Sequence, residues 1–265
     1  MTLRCGLIGD PVAHSQSPAI HAAFAEQTGL ALSYEAIPTP SEALAATVQG
    51  FFAEGGHGLN VTLPHKQAVL ALCAEVAPAA QRASSVNTLS RSDAGISGRS
   101  TDGPGLIADL RRLDAPLAGA NILLLGAGGA ARAVVEPLLA CAPAELVWSH
   151  RNPLKLEGQE TKFAGLGRLR LCADLALKGD RFDLILHATA AGHSGRAPLL
   201  PNGILGRDSF AYDLSYGDAA LPFLSWAQAQ GAARQADGQG MLIEQAALSF
   251  QHWTGQQPDT ASLHC

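Results

Sequence analysis

Charge is scarce in this chain. Only 15% of its 265 residues are Asp, Glu, Lys or Arg, against about 25% in an average soluble protein, so the polar surface leans on Ser, Gln, Asn and Ala. No basic block occurs, and 18 Lys and Arg against 23 Asp and Glu leave a net charge of −5. That argues against nucleic acid or an anionic membrane as the main partner. Cysteine is also sparse: Cys5, Cys73, Cys141, Cys172 and Cys265 are scattered, odd in number and without a C-x-x-C pair. They read as reduced thiols in a cytoplasmic protein, not as a disulfide framework. The start, from Met1 to Gly6, lacks the apolar stretch of a signal peptide, and no apolar run approaches the ~18 residues of a membrane-spanning helix. None of the nine histidines sits in H-E-x-x-H or another tight ligand cluster, so no metal is expected.

What the chain does have is apolar mass and turns. Hydrophobic residues make up 47%, and 28 Gly with 15 Pro fit many short connections between compact elements. At ~100–200 residues per domain, the length suits one large domain or two ordinary ones. Short apolar runs alternate with helical patterns: strands at 3–9, 32–37, 58–62, 86–89 and 95–100, with a helix capped by Ser17 and another opening at Ser41. From Asn121 a cleaner series follows, with strands at 122–125, 145–149, 184–187 and 211–214 and helices at 130–140, near Pro153, at 221–230 and at 240–254. Alternation of this kind predicts α/β architecture with mostly parallel sheets. A boundary is expected near Gly103, where the second series begins.

Gly126-Ala127-Gly128-Gly129-Ala130-Ala131 follows an apolar strand and opens a helix, the context a dinucleotide fingerprint requires. Gly126 makes the tight turn, Gly128 lets a pyrophosphate approach, and Ala131 permits close helix packing. Free N–H groups at the helix start then face the phosphates. The next strand ends Ser149-His150-Arg151-Asn152, with Lys155 a turn further on and no acid between Arg151 and Lys155. A guanidinium pairs bidentately with a 2′-phosphate, so NADP is favoured over NAD.

Three segments of the first half are richer in polar turn residues than folding requires: His14-Ser15-Gln16-Ser17-Pro18, Asn60 to Lys66, and Val86 to Leu89 followed by Ser100-Thr101-Asp102-Gly103. Singly, each has a plain structural reading: Ser17 as a helix cap, Asp102 as a turn residue or cap, Lys66 as a surface charge on a short helix. Together, ahead of a nucleotide-binding half, they point to a substrate site.

In order along nearly the whole chain, these segments, with Gly9 to Val12, Tyr212-Asp213-Leu214-Ser215-Tyr216 and Ala236 to Leu242, resemble the shikimate dehydrogenase family. The resemblance implies NADPH-dependent, reversible reduction of 3-dehydroshikimate to shikimate, a step towards chorismate and the aromatic amino acids. It implies a substrate domain at 1–102 and 237–265, with an inserted Rossmann-like NADP-binding domain at 103–236 and a final helix returning to the first domain. The family's catalytic pair falls on Lys66 and Asp102. Its substrate contacts fall on Ser15, Ser17, Asn60, Thr62, Asn87, Tyr216 and Gln245, alongside that pair. Its cofactor contacts fall on Gly126, Ala127, Gly128, Gly129, Ala130, His150, Arg151, Asn152, Lys155, Thr189, Leu214, Gly238 and Met241. A small-molecule substrate, no nucleic acid or membrane partner, and a cytoplasmic monomer or homodimer are expected.

Several positions depart from the common family pattern. Ser100, Ala22, His150 and His187 stand where Asn is usual, Leu221 replaces a Thr, and Gly217-Asp218 replaces a common Asn-Pro. His187 is read as satisfying a backbone carbonyl rather than touching nicotinamide. The competing readings are an NAD-using quinate/shikimate dehydrogenase, which would carry an acid after the second cofactor-domain strand, and a non-catalytic NADP-binding sensor, which would lose Lys66 or Asp102. A hydrolase fails, because Arg196 occupies the last position of the near-match Gly192-His193-Ser194-Gly195.

Overall fold

The structure is a computed structural model that describes residues 2–264; Met1 and Cys265, singled out above, lie outside them. Cys5, Cys73, Cys141 and Cys172 are free thiols. The chain forms two compact units, Met1–Gly105 with Leu242–Cys265, and Leu106–Met241.

The first series runs β1 (Leu3–Gly9), α1 (Ser17–Thr28), β2 (Leu32–Pro38), α2 (Leu44–Ala53), β3 (Gly58–Val61), β4 (Glu75–Val76), α3 (Pro78–Ala83), β5 (Thr88–Ser92), β6 (Gly95–Arg99) and α4 (Asp102–Arg112). The second runs β7 (Asn121–Leu125), α5 (Gly129–Ala140), β8 (Glu145–His150), α6 (Gln159–Lys162), β9 (Leu169–Ala173), β10 (Phe182–His187), β11 (Leu205–Asp213), α7 (Leu221–Ala229), β12 (Arg234–Ala236) and α8 (Gln239–Thr254). The limits of the units therefore fall inside α4 and α8.

Each unit holds a six-stranded sheet. In the second, the order β12-β11-β10-β7-β8-β9 is parallel throughout. A parallel sheet is covered on both faces, which makes its strands near-continuous apolar runs. Successive residues of a strand point to opposite faces, and here they divide between two cores. Ile122, Leu124, Leu146 and Trp148 join one cluster, and Leu123, Leu125 and Val147 the other. In the first unit the order is β2-β1-β3-β5-β6-β4, with β1 parallel to β2 and β3, and β5 antiparallel to both its neighbours. The carboxyl ends of β1, β3 and β6 and the amino end of β5 thus share one edge of that sheet.

Three local expectations are corrected. Ser17 is the first residue of α1 and not its cap; Gln16 occupies the cap without a side-chain bond, and Ser15 Oγ instead accepts from the Ser17 N–H at 3.2 Å. The helix near Pro153 is only a short 3-10 turn, Pro153–Leu156, and the four-residue α6, separated by Gly158 at φ 75°. The third is α4, for which the sequence reading named no helix, giving Asp102 as a turn residue or cap, because Gly103, Pro104 and Gly105 crowd its start. A proline in the first helical turn lacks only an N–H that has no intrahelical partner there. Gly105 is required by packing, since a Cβ there would lie 2.7 Å from the Gln245 backbone nitrogen.

His21 of α1 is fully buried among Phe24, Tyr34, Phe250 and Trp253, its ring stacked on Tyr34 at 4.1 Å. Neither ring nitrogen has a hydrogen-bond partner of ordinary geometry. Burial drives its pKa down from 6.5 to about 3, against a smaller upward pull from the nearby Asn60 amide. The unfolded chain therefore takes up a proton below pH 6.5 that the folded chain refuses, so this residue's contribution to stability is full above pH 6.5 and falls as pH drops. Between pH 7 and pH 5 the loss is about 2 kcal/mol. The urea midpoint of His21→Phe should consequently fall less over that interval than the parent's. A variant as acid-sensitive as the parent would refute the assignment.

Candidate active site

The shared edge of the first sheet gathers the polar segments. The chain leaves β3 through Thr62, whose N–H bonds the Ile8 carbonyl at 2.9 Å, and His65 is held by its ring on the Thr39 carbonyl at 2.6 Å. The Lys66 carbonyl then accepts from the Val86 N–H at 2.8 Å, which fixes the lysine backbone beside the strand leading to Asn87. From there Lys66 Nζ reaches Asp102 Oδ2 at 2.6 Å, with side-chain exposures of 16% and 4%. Asp102 opens α4, where a carboxylate is favoured by the helix dipole.

An ion pair this enclosed needs further hydrogen bonds to offset the loss of water. Asn87 supplies them. Its Nδ2 shares two hydrogens among Asp102 Oδ1 at 2.8 Å, Thr101 Oγ1 at 2.9 Å and Gln245 Oε1 at 3.2 Å, and its Oδ1 accepts from the Thr101 N–H at 2.8 Å. Asn60 lies behind it, donating to the Asn87 carbonyl at 3.1 Å and Ser249 Oγ at 3.0 Å, and accepting from Tyr34 Oη at 2.8 Å. Burial pushes the Tyr34 phenol's pKa strongly up, with a further upward push from Cys5 and a smaller opposing pull from the nearby Ser17 hydroxyl. Ser15 Oγ completes this side at 3.2 Å from Ser17 Oγ.

Lys66, Asp102, Asn87, Asn60 and Gln245 are therefore one hydrogen-bonded cluster that includes Tyr34, while Ser15 and Ser17 bond each other nearby. Thr62 stands partly exposed at the same edge. Tyr216 is in the second unit, just after β11. Sequence reasoning missed Tyr34, Thr88 and Ser249. The spacing of Gln245 and Ser249, one helical turn apart, carried a signal for Ser249; Thr88 lay in the Val86–Leu89 segment without being given a role, and nothing marked Tyr34. Chemically, the cluster presents a cation held on a carboxylate beside hydroxyls and amides, suited to a polyhydroxylated small molecule on which negative charge develops.

In the second unit, β7 ends at Gly126, whose φ of 121° excludes other residues and whose Cβ would lie 2.5 Å from the Ala188 carbonyl oxygen. Trp148 Nε1 donates to the Gly126 carbonyl from the next strand. Gly128 is exposed and caps α5 with no side-chain bond, and a Cβ there would meet open space. Ala131 is fully buried where α5 meets the sheet. This is a cradle with free amides at a helix start, and it fits a pyrophosphate. Ala127, Gly129 and Ala130 lie along it, partly exposed. Arg132, which the sequence reading overlooked, folds its guanidinium back to the Ala127 carbonyl at 2.7 Å and adds positive charge there.

Arg151 and Lys155 are exposed, with no ion pair among the described residues. His150 Nδ1 accepts from the Asn152 N–H at 3.0 Å, while the Asn152 side chain caps the next turn through the Leu154 N–H at 3.2 Å. Asp174, at the end of the neighbouring strand, accepts from Ser149 Oγ at 2.6 Å. Leu214 and Gly238 lie against each other, a Gly238 Cβ falling 2.2 Å from the Leu214 oxygen, and Met241 is 6% exposed in the core. His187 is corrected: its partners are the Asp213 carboxylate and the Thr189 hydroxyl, not a backbone carbonyl. No group of three or more metal-ligating side chains occurs among the described residues, and no described helix is long and apolar enough to cross a membrane.

Comparison with known proteins agrees with this geometry. Residues 7–89 match the model of the shikimate dehydrogenase substrate binding domain, and residues 238–263 that of the shikimate 5′-dehydrogenase C-terminal domain. The chain is 46% identical over 264 residues to the shikimate dehydrogenase (NADP(+)) of Aromatoleum aromaticum, covering 98% of this chain and 95% of that one. Its fold matches an Ael1 enzyme from Pseudomonas putida with a TM-score of 0.93 at 39% identity, covering 99% of this chain and 97% of that one. It also matches shikimate 5-dehydrogenase from Thermus thermophilus, solved in complex with NADP(H) and shikimate, with a TM-score of 0.87 at 36% identity and the same coverage of 99% and 97%. The chain belongs to the shikimate dehydrogenase family.

Proposed function

We propose that this protein catalyses the reversible, NADP-dependent interconversion of 3-dehydroshikimate and shikimate, with Lys66 and Asp102 as the acid–base pair. The observation that carries the reading is the 2.6 Å contact of Lys66 with Asp102, braced by Asn87. Bound NADPH supplies the hydride. As the substrate carbonyl carbon accepts it, the carbonyl oxygen gains negative charge, and the Lys66 ammonium lies in a position to stabilise that charge and deliver the proton. Asp102 holds the amine in place; in the oxidation direction Lys66 takes the hydroxyl proton back. The protein has no other cation in this cluster for a substrate carboxylate, so the hydroxyls of Ser15 and Ser17 at the start of α1 are assigned to it. Asn60, Thr62, Asn87 and Gln245 then serve the ring hydroxyls, with Tyr216 as a further contact. For Asn60 the remaining capacity is a lone pair on Oδ1, since its Nδ2 is committed to the Asn87 carbonyl and Ser249.

The dinucleotide is assigned to the Gly126–Ala130 turn, with Thr189, Leu214, Gly238 and Met241 towards the nicotinamide and His150, Arg151, Asn152 and Lys155 towards the adenosine. The 2′-phosphate falls to Arg151 and Lys155, whose charges are not spent on protein carboxylates. Four free cysteines among the described residues suit a reducing compartment, and we place the protein in the cytoplasm.

Initial rates of shikimate and quinate oxidation, each with NADP and with NAD, test the reading. Fast turnover is expected only for shikimate with NADP; comparable rates on quinate or NAD would replace it with a broad-specificity enzyme. Lys66→Ala should lower kcat by about 10²–10⁴-fold while the KM for shikimate moves far less; an equal loss in KM with kcat intact would remove the lysine from the chemistry. Arg151→Ala should raise the KM for NADP about tenfold or more and scarcely affect NAD. Equal effects on the two cofactors would refute the 2′-phosphate role.

A further inference from the structure

His187 is the last residue of β10 and has no exposed surface. Its ring lies flat on Phe223 of α7 at 4.7 Å, with 13° between the planes. Nδ1 is 2.8 Å from Asp213 Oδ2, and Nε2 is 2.7 Å from Thr189 Oγ1. Asp213, the last residue of β11, uses its other oxygen to accept from the Ser215 N–H at 2.8 Å. Both ring nitrogens are thus engaged, one by a carboxylate and the other by a hydroxyl. A carboxylate only accepts, so Nδ1 carries a proton towards Asp213. Nε2 is paired with the Thr189 hydroxyl. Thr189 Oγ1 in turn accepts from the Ala191 N–H at 3.2 Å.

This line ends at the glycine-rich turn. The Ala188 carbonyl oxygen and Thr189 Cγ2 are two of the three atoms that a Cβ on Gly126 would strike, at 2.5 and 3.3 Å. Ala188 also donates its N–H to the Leu125 carbonyl at 2.8 Å, directly before Gly126. Whatever orients Thr189 therefore bears on the turn that carries the phosphate-facing amides.

We propose that His187 is a positioning residue for the dinucleotide: anchored by Asp213, it holds Thr189 in one rotamer and orientation, and through Thr189 the Gly126 turn. The inference rests on the reading of this unit as the NADP site. It predicts that the Nε2 contact matters for cofactor affinity, beyond the burial and the Asp213 bond that a structural role would need. Asparagine separates the two, because its amide nitrogen reproduces the Nδ1 position and keeps the bond to Asp213, while nothing in it reaches Thr189.

NADPH dissociation constants, read from the fluorescence of the reduced nicotinamide on binding, test this in His187→Asn, Thr189→Val, the double variant and Thr189→Ser. His187→Asn should weaken NADPH binding about tenfold, the scale of one lost buried hydrogen bond, with a thermal midpoint close to the parent's. The double variant should bind no more weakly than the weaker single variant, because both remove the same contact. Thr189→Ser should restore most of the affinity lost in Thr189→Val. Parental affinity in His187→Asn, or losses that multiply in the double variant, would overturn the proposal while leaving the function intact. If the asparagine variant does not fold, Thr189→Ser binding as weakly as Thr189→Val would overturn it by itself. A parent protein that binds no NADPH would remove the cofactor reading and this inference with it.

Discussion

One amide holds the substrate unit's chemistry in place. Asn87 touches the carboxylate of Asp102, the hydroxyl and N–H of Thr101, and the side chain of Gln245, so two segments distant from it in sequence converge on a single side chain. The constraint behind it is solvation. Lys66 and Asp102 are largely withdrawn from water, and a charge pair so placed persists only where other donors and acceptors replace the lost hydration. Every donor around the pair must then be accounted for, and the accounting passes outwards through Asn60, Thr88 and Ser249 to the aromatic layer of Tyr34 and His21. The buried network gives the ammonium one position rather than several, which suits the proton-delivering role proposed for it.

The second unit meets a different demand, close approach of backbone to an anion. A parallel sheet places all its strand ends on one side, and the segments that follow β7, β8, β10 and β11 supply every residue assigned to the cofactor except Gly238 and Met241 at the start of α8. The turn at Gly126 is pressed by Ala188 from one side and anchored by Trp148 from another. It is rigid because it is crowded, while Gly128 beside it is open. Rigid crowding next to free amides is the arrangement by which a glycine-rich turn binds phosphate without reorganising.

The two halves differed in how openly the chain declared them. The glycine turn and its preceding apolar strand are contiguous in sequence, and Arg151 directly follows the next strand; their meaning comes from local geometry, so periodicity and spacing were sufficient. Lys66 and Asp102 stood out only because their segments together resembled a known family; taken singly, each had an ordinary structural reading. Helix α4 was hidden because glycine and proline at its first turn imitate a loop, although the missing N–H costs nothing there and Gly105 answers to the Gln245 backbone. Tyr34 carried no local signal, and Ser249 only its spacing from Gln245, since their bonds to Asn60 span 26 and 189 residues of the chain.

By itself, then, the sequence determined the alternation of elements, the dinucleotide turn and, through the resemblance of its ordered motifs, the family. The first two follow from local backbone preferences and from the periodicity with which apolar side chains must be buried. Only the tertiary structure decided that Asn87 is the brace of the ion pair, that Ser15 and not Ser17 answers the first free amide of α1, and that His187 spans a carboxylate and a hydroxyl. Each of these is a hydrogen-bond assignment among buried groups. Such assignments are settled by which donors and acceptors the packed strands bring within 3 Å or so of each other, a matter on which neighbouring residues in the chain are silent.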